Sequence, residues 1–150
     1  MAPHGLALWI TLAAIPYGAA AQPAPARETW SPTSRTAQSV TGKITFTPSQ
    51  IIFQNGTPLA LSRGVQMLFR PYKKKKVMVD LYSVTHPENP VLENGKTLCN
   101  GKAAAYLLVW KSEKVGADVD PRSMNVFSSA KFVSGSPDDC GRYMYDAGAR

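Results

Sequence analysis

Gly42-Lys43-Ile44-Thr45-Phe46-Thr47-Pro48-Ser49-Gln50-Ile51-Ile52-Phe53-Gln54-Asn55-Gly56-Thr57-Pro58-Leu59-Ala60-Leu61 decides the fold class. Ile44 and Phe46 alternate with Lys43, Thr45 and Thr47, the period-two pattern of a half-buried strand. Gln50 to Phe53 is a second short apolar run. Asn55-Gly56 follows, the strongest short hairpin signal, since both residues accept positive φ. Leu59 and Leu61 continue beyond the turn.

The same reading extends along the chain. Val65 to Phe69 is a candidate strand. Val77, Val79 and Leu81 alternate with Met78, Asp80 and Tyr82, which predicts one buried and one wetted face. Thr85 to Gly95 holds Pro87, Pro90 and a second Asn-Gly, and reads as a loop ending in a turn. Ala103 to Trp110 is apolar throughout; Tyr, Val and Trp favour a strand buried on both faces. Val115 to Pro121 reads as a polar loop. Asn125 to Val133 predicts one or two short strands, and Arg142 to Tyr145 a last one. Short strands between turn signals predict a mainly β domain, a small antiparallel β-sandwich or β-barrel.

The 150 residues allow one domain, and 44% apolar residues suffice for a modest core. Residues 1–21 read as a bacterial-type signal peptide. Leu6 to Ile15 is an apolar run broken by Pro16, and Ala19-Ala20-Ala21 offers a cleavage site before Gln22. The run is shorter than the roughly 20 residues of a membrane span. Met1 to Gly5 lacks the usual Lys or Arg. No cysteine follows the cleavage site, so no lipid anchor is indicated. Residues 22–41, rich in Pro, Ala, Ser and Thr, read as a flexible leader that Trp30 pins to the domain. The single β-domain is then expected over 42–150.

Cys99 and Cys140 are the two cysteines. After export to the periplasm or medium, a disulfide is their default state. It would clamp the strand after Cys99 to the last strand at neighbouring ends. No histidine neighbours either cysteine, which argues against a metal site.

The net charge of +7 is unevenly placed. Residues 22–79 carry Arg27, Arg35, Lys43, Arg63, Arg70 and Lys73 to Lys76 against Glu28 alone. The remainder is nearly balanced. Arg70-Pro71-Tyr72-Lys73-Lys74-Lys75-Lys76 is the centre of the excess. Four successive lysines repel one another and must be solvated, so an exposed turn is expected. Such a loop suits an anionic partner, an envelope polymer or a membrane surface, with Tyr72 and Phe69 adding contact. It equally serves as a solubilising hairpin tip. Nucleic acid is not expected, because the interleaved aromatic platform of single-strand binders is missing.

Catalytic constellations are sparse. His86 stands alone in a Thr-His-Pro loop, and a general base needs an orienting partner. Ser128-Ser129-Ala130-Lys131 has the S-x-x-K spacing but neither the helix nor the companion motifs. Asp118 and Asp120 lack the other ligands of a calcium loop. Asp138-Asp139 sits in a Pro-Asp turn. Asn55-Gly56-Thr57 has the form of a glycosylation sequon, but the turn explains it. No glycine-rich phosphate loop is present. The expectation is a binding protein, not an enzyme, without cofactor.

Gly42 to Leu61, with Leu98-Cys99 and Cys140-Gly141-Arg142-Tyr143-Met144-Tyr145, resembles small exported proteins of alphaproteobacteria. That resemblance implies a periplasmic location and transfers no functional residue. A second likeness is to the periplasmic inhibitors of c-type lysozyme, small β-barrels with a Ser-Gly-x-x-Tyr loop. Here Ser134-Gly135-Ser136-Pro137-Asp138 keeps the first two residues and has Asp in place of Tyr. Lysozyme is itself basic and would repel a +7 partner. The alternative it implies is a protein-binding module, such as an enzyme inhibitor, acting through Ser134 to Asp139.

Overall fold

The computed structural model describes Gly18, residues 26–113 and residues 116–148. The signal-peptide reading, Gly18 apart, falls outside the described residues. Eight antiparallel strands form a closed barrel: β1 (Glu28–Pro32), β2 (Ile44–Thr47), β3 (Gln50–Ile52), β4 (Pro58–Phe69), β5 (Val77–Glu88), β6 (Ala104–Lys111), β7 (Pro121–Phe127) and β8 (Asp139–Asp146). Each strand pairs with the next, and β1 closes on β8 through Ser31 opposite Asp146. Closure leaves no strand edge to aggregate.

Two expectations about the N-terminal part change. Residues 28–41 are not a leader: they supply β1 and the helix α1 (Arg35–Val40). Trp30 does more than pin this segment, because it is a core residue, 1% exposed. The Ser34 hydroxyl accepts from the Ala37 amide and starts α1. Gly42, at φ 61°, ends it by donating to the Ala37 carbonyl (2.8 Å), as left-handed caps do. Ala37 and Val40 turn inward, so α1 stoppers one end of the barrel.

The Asn55-Gly56 hairpin forms, with only Gly56 at positive φ (86°). Asn55 instead uses its side chain, accepting from the Thr57 amide and donating to the Val91 carbonyl. The predicted strand Val65 to Phe69 joins the preceding run into one long β4, irregular between Arg63 and Gln66. β5 runs on to Glu88, through part of the expected loop. Asn125 to Val133 is half correct: β7 covers Pro121–Phe127, and residues 128–133 are irregular.

The strands bury two cores. The barrel interior gathers side chains from all eight strands, including Trp30, Ile44, Ile51, Leu59, Tyr82, Leu107, Met124 and Tyr145. A second cluster, Phe69, Val79, Leu108, Trp110 and Phe127, belongs to β4–β7 alone. Alternation along a strand sends successive residues to opposite faces. Leu107 and Val109 therefore face the interior while Leu108 and Trp110 face outward, and β6 is buried on both faces as its composition predicts. On β5 the wetted-face expectation fails at Tyr82, which fills the interior, while Val79 packs outside. Phe132 folds back from the β7–β8 connection onto Tyr106 and Phe127, covering the outer cluster (centroids 5.5 and 5.4 Å).

Cys99 and Cys140 are bonded, with Cα atoms 4.7 Å apart. The bridge ties the β5–β6 connection to the start of β8. The two strands it links are not paired, because β7 lies between them. The same end holds two buried phenols. Tyr143 donates to the Leu98 carbonyl (2.9 Å), and the Tyr145 hydroxyl lies 2.8 Å from that of Thr41. Burial pushes the Tyr143 hydroxyl up to about 12 and Tyr145 higher still. Both folded values exceed the unfolded one, so this stabilisation is complete below pH 10 and is lost as pH rises toward 12. For Tyr143 alone, a hydroxyl raised to about 12 corresponds to about 3 kcal/mol. Alkaline titration should show tyrosinate absorbance and loss of β circular dichroism rising together. Tyrosines that all titrate near pH 10 in an intact barrel would contradict this.

Candidate functional site

The lysine segment is the connection between β4 and β5, and it is folded onto the barrel. Lys74 donates to the Pro71 carbonyl (2.9 Å), and the two central residues have positive φ, 42° at Tyr72 and 61° at Lys73. This is the pattern of a type I′ turn. Asn94-Gly95 adopts the same pattern, φ 56° and 68°, with residues suited to it. Tyr and Lys are not, and left-handed backbone costs such residues about 1 kcal/mol each.

Tethers hold the strained turn in place. Pro71 is buried. The Tyr72 hydroxyl donates to Asp139 (3.4 Å), and the Ser134 hydroxyl donates to the Arg70 carbonyl (3.4 Å). Asp139 is fixed in turn by the amides of Gly135 and Gly141 and the side-chain amide of Asn125. Ser134 to Asp139 is therefore a buttress for the lysine loop. Arg70, Tyr72 and Lys73 to Lys76 are all exposed.

Beneath the loop lies a cleft of about 650 Å³, lined by Lys73, Lys74, Lys75, Trp110, Lys111 and Arg142 among others. Among the described residues, Glu113 is the one carboxylate in its lining. Trp110, Lys111 and Arg142 are additions to the sequence reading. They come from β6 and β8, and only closure of the barrel brings them beside the loop.

Arg142 defines the floor. Its guanidinium lies 5.2 Å from the Trp110 ring centroid, and Nη2 donates to the Ser123 hydroxyl (3.0 Å). Ser123 is itself 2.6 Å from the Ser112 hydroxyl. The buried Nε of Arg142 has no acceptor. Among the described residues no carboxylate pairs with Arg142. Burial accordingly lowers its pKa, opposed only by the Tyr72 phenol. Arg122, which is buried, is placed differently. It bridges to Asp120, lies 3.5 Å from Glu28 and sits over Trp30. Arg122 is paired with carboxylates, and Arg142, among the described residues, is not.

Arg122 borders a smaller cavity, about 200 Å³, at the barrel mouth with Glu28, Trp30, Phe46, Asp80 and Tyr82. Glu28 pairs with Arg122 and Asp80 with Arg63, and the cavity's aromatic floor is packed: Trp30 stacks on Phe46 at 4.5 Å. His86 is exposed on β5. The Ser128 and Ser129 hydroxyls both donate to Asp138, and Lys102 reaches it at 3.3 Å. The hydrogen bond from Ser129, then that from Lys102, holds the Asp138 carboxyl below the usual range. Among the described residues no group of three His, Cys, Asp or Glu could hold a metal ion.

No family model, curated protein or solved structure matches this chain.

The strain in the turn can be tested. Lys73→Gly relieves the left-handed backbone and should raise stability by up to about 1 kcal/mol. Thermal melting checks the effect, and a lower melting temperature for the variant would show that Lys73 is not strained.

Proposed function

We propose that this chain is an exported, non-catalytic binding protein that engages an anionic cell-envelope surface through Arg70, Tyr72 and Lys73 to Lys76. The carrying observation is the charge arrangement: a tethered loop exposes Lys73 to Lys76, and Lys73 to Lys75 line a cleft with Arg142, a half-buried cation with no carboxylate partner among the described residues. The Cys99–Cys140 disulfide is compatible with an oxidising compartment, and the apolar run before Ala21 supports export to the periplasm.

The protein-binding alternative would use Ser134 to Asp139. There Asp138 and Asp139 already accept hydrogen bonds from neighbouring side chains and amides, and the loop supports the lysine turn. We place it second. Co-sedimentation with cell envelopes across a salt series separates the two. Binding that fades with salt and is lost when Lys73 to Lys76 become Ser supports the surface reading. Stoichiometric binding indifferent to both changes supports the alternative.

A further inference from the structure

We infer that the floor of the cationic cleft is a phosphate-recognition subsite, in which Arg142 takes the oxygens of a phosphate group and Lys111 with Lys73 to Lys75 neutralise its remaining charge. This rests on the anionic-surface reading and names the group that the surface must carry.

Diffuse attraction needs only exposed lysines, and the loop provides those. Arg142 is different in kind. It is half-buried, lies over Trp110 and is oriented by the Ser123 hydroxyl, so its planar donors are fixed before a ligand arrives. Ser123 is fully buried and held by Ser112, which makes the orientation part of the barrel wall. A preorganised guanidinium recognises planar or tetrahedral oxyanions through paired hydrogen bonds, which an ammonium cannot reproduce.

The number of cations decides between oxyanions. A carboxylate has two coplanar oxygens, and one guanidinium edge satisfies both. This cleft draws cations from three separate segments: the β4–β5 loop, the end of β6 and β8. Cations approaching from several sides suit a ligand with oxygens in several directions and more than one charge. Phosphate has that geometry. A phospholipid headgroup and a phosphorylated envelope saccharide both present it.

The test is calorimetric titration of the protein with inorganic pyrophosphate and with citrate at matched ionic strength. Pyrophosphate should bind about tenfold more tightly than citrate. Arg142→Lys keeps the charge but loses the fork, and should abolish that preference. Ser123→Ala leaves the cation and removes its orienting hydroxyl. It should weaken pyrophosphate several-fold and citrate less, and it serves if Arg142→Lys does not fold. Changing Lys73 to Lys76 to Ser should weaken both anions, pyrophosphate the more, because it removes the cations of one of the three segments. Equal affinity for the two anions, or a preference that survives both Arg142→Lys and Ser123→Ala, would overturn the subsite while leaving salt-sensitive envelope binding intact. Loss of envelope binding with retained pyrophosphate preference would instead overturn the surface reading alone. Phosphatidylglycerol vesicles separate the two sources. Vesicle binding displaced by pyrophosphate assigns the phosphate to a lipid headgroup; pyrophosphate binding without vesicle binding assigns it to a soluble or polymeric phosphate.

Discussion

Trp30→Ala should cost about 3–5 kcal/mol, the usual price of deleting a fully buried large aromatic. Trp30 stacks on Phe46, touches Tyr145 (5.7 Å) and lies beside the Arg122 guanidinium, while its Nε1 donates to Glu28 (2.7 Å). Small domains have about 5–15 kcal/mol in total, so this variant should be close to unfolding at room temperature. A chain beginning at Gly42 should fare worse. It lacks β1, which bridges β2 and β8, and it lacks α1, which stoppers the barrel end. Urea denaturation of both, followed by circular dichroism, checks the expectation. A chain beginning at Gly42 that unfolds cooperatively at the full protein's midpoint would show that residues 28–41 are dispensable.

Replacing Lys73 to Lys76 with Ser should produce the largest functional change. Each basic residue near an anionic surface contributes about 1 kcal/mol at low salt. Four together correspond to roughly a thousandfold in affinity. The effect should shrink in physiological salt, where screening acts over about 8 Å. Fold stability should hold or rise slightly, because four like charges in sequence repel one another. Envelope pelleting at low and high salt, beside a thermal melt, separates lost affinity from lost structure. Equal pelleting of the two proteins would reduce the loop to a solvated turn.

The barrel was legible where local pattern carries the signal. Ile44 and Phe46 alternate as strand residues do, and Ala103 to Trp110 has too few polar residues to expose either face. The two cores explain that composition, since β6 meets the interior on one side and the aromatic cluster on the other. β1 was not legible, because Glu-Thr-Trp-Ser-Pro offers one apolar residue and its pairing comes wholly from β2 and β8. Residues 128–133 misled in the other direction. Phe132 and Val133 read like strand residues after Phe127, but the Ser128 and Ser129 hydroxyls bind Asp138 and Phe132 turns back onto Phe127.

The site was half legible for the same reason. Lys73 to Lys76 declare themselves as a run. Arg142 is one basic residue near the C-terminal end, and nothing local marks it. Its place over Trp110 and beside Ser123, with no carboxylate partner among the described residues, is visible only in the folded barrel. The strain at Tyr72 and Lys73 was hidden too, because positive φ there comes from tethers at Ser134 and Asp139.

The most direct test of the cationic cleft is to map a bound polyanion by amide chemical-shift changes, titrating the isotope-labelled protein with short polyphosphate and with short polyglutamate. The geometry predicts changes clustered at Tyr72 to Val77, Trp110 to Ser112 and Arg142, fading as salt is added. Changes centred on the barrel mouth at Glu28, Phe46 and Tyr82, or scattered evenly over the surface, would contradict it.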